Sequence, residues 1–342
     1  MKDLTRRHFL GHSLAGGVAL ATAGLVATAG AGEPSLIIGG GPAGAATALA
    51  IRAARPEARV TLVERDPTRL AGNVDAPAAL MRPSAVGYGA LAQAGVGIVI
   101  DEVVGLDWRN RRLELFSGRR LPFGTLVVAP GTAPRAEAIP GFDAVAGHQW
   151  PAVWGSAREA RRFAGQLAAL PERGHVVLRL PADAGGNPDE AARRALYIAQ
   201  DLERNRPDAR LTVLDAAEQS ETAATFAALL PETTLTAKRV TWCGPVEGGT
   251  VLAVDTRRGR LETPLGAVTA DVVNFVTPRR AAAIAHLAGL ADESGWCPCA
   301  PDGRSGLRPA AFVVGDARKG ARRSVSGALE QGRATARASL MV

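Results

Sequence analysis

Six residues, Gly39-Gly40-Gly41-Pro42-Ala43-Gly44, constrain the fold more than any other stretch of this chain. They follow a short apolar run, Ser35-Leu36-Ile37-Ile38, and precede an alanine-rich segment, Ala45–Ala54, that reads as a helix. A glycine-x-glycine-x-x-glycine turn between a strand and a helix opens a dinucleotide-binding βαβ unit. Gly39 permits the tight turn, Gly41 lets a pyrophosphate approach the backbone, and Gly44 allows close helix–strand packing. The helix N-terminus then offers N–H donors and a partial positive charge to the phosphates. A second strand, Val60–Val63, ends at Glu64, where an acid accepts hydrogen bonds from the adenosine ribose hydroxyls.

Two later segments decide between the dinucleotides. Leu126–Thr132 is an apolar strand running into a small-residue turn at Gly131, the kind that closes an FAD domain in flavoproteins with two dinucleotide domains. Ala311–Asp316 resembles the second FAD signature, in which the Asp316 carboxylate, after Gly315, accepts a bond from a ribityl hydroxyl. Ser324–Gly327 then opens a helix whose N–H groups can face the flavin pyrimidine. The expected cofactor is FAD.

The pattern restarts after about residue 150. His175–Leu180 and Arg210–Leu214 read as strands flanking an amphipathic helix, Asp189–Asn205. The intervening turn, Pro181–Pro188, lacks the glycine fingerprint, and its prolines hold it away from the approach a pyrophosphate needs. NAD(P)H is therefore not expected there. The predicted fold class is α/β, with two Rossmann-like dinucleotide-binding domains in the glutathione-reductase-like FAD/NAD(P)-binding arrangement. Residues 32–150 form the first part of the FAD domain, 151–278 the second domain, and 279–342 the return to the first.

The first 31 residues read as an export signal. Thr5-Arg6-Arg7-His8-Phe9-Leu10 resembles the twin-arginine motif, a mild apolar run follows, and small residues near Ala27–Ala31 offer cleavage sites. That route carries folded, cofactor-loaded proteins, and it predicts a periplasmic product with no integral membrane segment after cleavage. The formal charge is +7, yet only Lys2, Lys238 and Lys319 among the forty basic residues are lysines. Arginine bias of this kind follows genomic base composition, and the basic residues are scattered, so nucleic acid is not an expected partner. Hydrophobic residues make up 47% but aromatics only 4%, so the core must rest on Ala, Val and Leu. The histidines show no metal-ligand spacing, and no metal site is expected.

Ala270–Ala281, reading ADVVNFVTPRRA, and Gly295-Trp296-Cys297-Pro298 carry a family likeness. With the features above, they make the chain resemble the flavoprotein subunit of flavocytochrome c sulfide dehydrogenase, a relative of sulfide:quinone oxidoreductases. The resemblance implies oxidation of a small sulfur compound at a cysteine disulfide beside the flavin, with electrons passed to a c-type cytochrome subunit. It implies a catalytic role for Cys297. The family's other redox cysteine falls near Ala184, so Cys299 or Cys243 is left as the candidate partner. Family members tether FAD through a cysteine shortly after the ribose-binding acid. Arg65–Val74 has none, so the flavin is expected to be non-covalent. The family's C-terminal domain, beyond the helix that follows Asp316, is not expected in a chain ending at Val342. These departures keep a second reading open, that of a degenerate, non-catalytic flavin-binding or assembly protein.

Overall fold

A computed structural model describes residues 33–70, 86–135, 139–153, 157–183, 187–321 and 323–341. The export signal, Ala184 and residues 71–74 lie outside them.

Ser35–Ile38 is the middle strand of a five-stranded parallel sheet. Val60–Glu64 and then Gly97–Ile100 lie on one side, Thr125–Val128 and then Ala311–Val313 on the other. Every residue of the middle strand is buried, as a parallel strand covered on both faces requires. The chain leaves this strand toward one edge and later returns to its other side. The carboxyl end of Ser35–Ile38 is therefore a topological switch point, where open α/β sheets form their ligand crevice.

The second domain repeats the plan with a four-stranded parallel sheet, in the order Val240–Cys243, Arg210–Asp215, His175–Leu180, Val272–Phe275. Each parallel sheet carries helices on one face and a three-stranded antiparallel meander on the other. The meanders are Val103–Pro122 in the first domain and Ala253–Thr269 in the second. Four apolar clusters fill the resulting layers. They are built largely from Ala, Val and Leu, as the scarcity of aromatics demands.

Two short strands join the domains. Thr132–Pro134 leaves the first domain, Arg279–Ala281 returns to it, and the two pair antiparallel. The Arg279 guanidinium, 7% exposed, donates from Nε to Thr132 Oγ1 at 2.7 Å and from a terminal nitrogen to Thr132 O at 3.0 Å. The same arginine therefore fixes both crossings.

The expected elements form with small shifts. The first helix begins at Pro42, because proline suits the first helical turn, where its missing N–H has no helical partner to lose. The last strand ends at Val313 rather than running on to Asp316. Gly315 takes φ +79°, which bends Gly315–Ala317 into a 3-10 turn. Helix Val325–Ser339 then lies across helix Pro42–Ala54. Gly332 makes this possible, since a Cβ there would come within 2.5 Å of Ala43 O. Thr47 Oγ1 donates to both Ala43 O and Gly332 O at this crossing.

Candidate flavin site

The three fingerprint glycines do different work. At Gly39, with φ +101°, a Cβ would sit 2.2 Å from Ala129 O; at Gly44 it would sit 2.0 Å from Gly39 O. Both positions exclude side chains for reasons internal to the fold. A Cβ on Gly41 would meet nothing within 4 Å, and its φ of −67° suits any residue. The space kept clear at Gly41 is thus not needed by the protein itself. It opens at the N-terminus of helix Pro42–Ala54, which no side chain caps and whose first turn carries no acid. An open cradle at an uncapped helix N-terminus fits a pyrophosphate.

Glu64 ends its strand 4% exposed. One carboxylate oxygen accepts from Gly40 N at 2.6 Å and the other from Asp66 N at 2.8 Å. These bonds orient the carboxylate and leave acceptor capacity for ribose hydroxyls. Gly131, with φ +65°, also faces open space and accepts from Ala282 N through its carbonyl.

Asp316 sits on the 3-10 turn, where burial raises its pKa above the ordinary carboxylate value while the Arg323 and Arg279 cations oppose the rise. Gly315 N donates to Gln331 Oε1 at 3.1 Å, which fixes the turn to the following helix. Arg323 donates from Nε to Asp316 O at 3.2 Å and lies over the Trp296 ring, 3.7 Å from its centroid. Burial lowers the Arg279 pKa to about 10. At the helix start Ser324 Oγ accepts from Gly327 N, so that N–H is engaged by the cap.

The cradle, Glu64 and the Asp316 turn fit FAD: phosphates at Gly41, ribose at Glu64, ribityl chain at Asp316. Bound there, FAD would supply a two-electron acceptor that protein side chains lack.

Cys297, to which the family resemblance gives a catalytic role, is fully buried in the apolar cluster that includes Ile38, Val128, Val313 and Ala317, the residue after Asp316. Its N–H donates to Ala317 O and its carbonyl accepts from Lys319 N. Burial pushes its thiol up to about 12. The cause is alternation in an extended segment: Cys297 pairs as a β-bridge with Arg318 and turns inward, leaving its neighbour Trp296 against Arg323.

All three cysteines are free thiols. Cys299 Sγ contacts Cys297 O at 3.3 Å, and burial pushes its thiol up to about 11. Cys243 packs against the meander-side core of the second domain, a different cluster from that of Cys297. Sequence reasoning missed the roles of Trp296, Arg279, Arg323 and Asn187. No motif marks them, although Arg279 and Trp296 stand in the two segments that carry the family likeness.

The second domain's nucleotide-binding features are taken up internally. Asp215, fully buried at the end of its strand, accepts from Ala217 N, Ser220 Oγ and, at 3.1 Å, Trp242 Nε1. Helix Pro188–Asn205 is capped by Asn187, whose side chain accepts from Glu190 N at 3.1 Å, and its first turn carries Asp189 and Glu190. A phosphate would meet two carboxylates there.

Fold and cradle define an FAD-type oxidoreductase scaffold, and comparison with known proteins narrows it. Residues 34–166 match the pyridine nucleotide-disulphide oxidoreductase family. Residues 161–277 match the central part of the sulfide dehydrogenase (flavocytochrome c) flavoprotein chain. The chain is thus related to sulfide-processing flavoproteins.

Among solved structures it resembles the reduced Bacillus anthracis CoADR-RHD, with 16% identity and a TM-score of 0.65 over 90% of this chain and 56% of the other. It also resembles an NAD-dependent persulfide reductase from A. fulgidus (19%, TM-score 0.66, 89% and 58%). A third is the sulfide:quinone oxidoreductase of Aquifex aeolicus (17%, TM-score 0.67, 90% and 76%). The chain spans little more than half the length of the first two, and the likeness to all three is one of fold.

Proposed function

We propose that the protein is an exported, periplasmic flavoprotein that binds FAD non-covalently, takes electrons from a small reduced sulfur compound and passes them to a c-type cytochrome. The observation that carries this reading is the internal use of Asp215 and of the Asn187-capped helix. With the ribose acid and the helix N-terminus both engaged by the chain's own groups, a nicotinamide donor has no seat in the second domain. The match of residues 161–277 to the sulfide dehydrogenase flavoprotein supports a sulfur donor in its place. The Thr5–Leu10 motif supports export. Among the described residues no helix is long and apolar enough to cross a membrane.

The burial of Cys297 favours a second reading, a flavin-binding protein that no longer performs cysteine-based sulfur chemistry. Anaerobic addition of sulfide to the FAD-loaded chain separates the two. Bleaching of the flavin, lost in Cys297→Ser, supports the sulfur oxidoreductase with Cys297 as its catalytic residue. Bleaching that persists in Cys297→Ser keeps the sulfur donor and removes the cysteine from the mechanism. A flavin that stays oxidised in the wild type favours the second reading.

A further inference from the structure

Asn187 makes two bonds in opposite directions. Its side-chain oxygen caps helix Pro188–Asn205 of the second domain, while its amide nitrogen donates to Arg323 O of the flavin domain. Arg323 is not a passive endpoint. Its guanidinium lies on Trp296 and its Nε donates to Asp316 O, so its side chain braces the turn that carries Asp316 while its carbonyl is held by Asn187. Helix Pro188–Asn205 starts where the phosphates of a second dinucleotide would lie in this fold. Its cap is occupied and its first turn is acidic, and the same residue that fills the cap reaches across to the flavin loop. Asp183 and Glu190, which flank Asn187 in sequence, are near enough to act on Arg323 and Asp316.

We infer that Asn187 is a positioning residue: it turns the former nucleotide-binding end of the second domain into a strut that holds Arg323, and through it Asp316, in place for the flavin ribityl chain. The inference rests on the FAD reading above and adds to it a role for the second domain. That domain, without a nucleotide of its own, shapes the flavin site through this contact. Asparagine suits both tasks because it carries an acceptor and a donor on one short side chain. Aspartate and serine satisfy the cap equally well and lack the amide donor.

The test uses the full chain reconstituted with FAD, comparing wild type with Asn187→Asp and Asn187→Ser. Each variant keeps the cap and should melt close to wild type. Each should raise the dissociation constant for FAD about tenfold, the scale of one hydrogen bond, and shift the visible spectrum of the bound flavin. Asn187→Gln, with the amide on a longer stem, should recover part of the affinity. A purely structural cap would move none of these flavin readouts. Unchanged affinity and spectrum in both cap-retaining variants overturns the inference while leaving the FAD reading intact. A wild-type chain that takes up no FAD overturns the reading and the inference together.

Discussion

Glu64 and Asp215 occupy the same place in two like domains, each the last residue of its domain's second parallel strand, and their carboxylates are engaged differently. Glu64 accepts two backbone N–H bonds and keeps acceptor capacity toward the open cradle at Gly41. Asp215 accepts from a backbone N–H, a hydroxyl and an indole. The first arrangement is poised for a ligand. The second is held by three of the chain's own donors and is fully buried.

The glycines of the cradle should therefore separate in mutagenesis. Gly41→Ala meets no atom, so the apoprotein should melt within about 0.5 kcal/mol of wild type. Its FAD affinity should nevertheless fall at least about tenfold, since the methyl group enters the phosphate space. Gly44→Ala drives a Cβ into Gly39 O and should cost about 1–3 kcal/mol in the apoprotein. Thermal melts and flavin fluorescence titration, run on both variants, check the pair.

Glu64→Gln presents an amide NH2 where one of two N–H donors now finds an oxygen. The loss should be about 1–3 kcal/mol of stability, with weaker FAD binding on top. Denaturant melts with and without FAD distinguish the two effects. A variant as stable as wild type would mean that Gly40 and Asp66 do not depend on this carboxylate.

NADH and NADPH should leave the flavin oxidised under anaerobic conditions. Asp215→Asn should not change that, and should instead destabilise the second domain by about 1–3 kcal/mol through its unmatched donors. Rapid bleaching by either nucleotide in the wild type would refute the internal use of this site.

Cys297 should resist thiol reagents between pH 7 and 9 in the folded protein and react on unfolding, because its thiol is pushed up to about 12. The folded state holds this proton more tightly than the unfolded chain, whose thiol titrates near the ordinary value of about 8.5. The associated stability is complete below that value and is lost as pH rises toward about 12. Wild type should therefore lose stability over that range more steeply than Cys297→Ala, as read by denaturant melts at stepped pH.

Much of this was legible in the residues. Gly39–Gly44, the strand ending at Glu64 and the Gly315-Asp316 pair each follow from local pattern, because turn geometry and strand–helix order are local properties. The environment of Cys297 was not legible. Gly295–Pro298 reads as an extended segment, and which of its alternating side chains faces inward depends on pairing with Arg318, more than twenty residues away. The link from Asn187 to Arg323 spans 136 positions and two domains, and periodicity cannot reveal it.

The paired crossings at Thr132–Pro134 and Arg279–Ala281 make the second domain an insertion at a single seam of the first. Both ends of the inserted piece enter and leave side by side, so changes inside it do not disturb the register of the flavin-side sheet. Inheritance can act on the two halves at different rates. One can shed its own ligand while the other keeps its cradle, and only residues that reach across the seam tie the history of one half to that of the other.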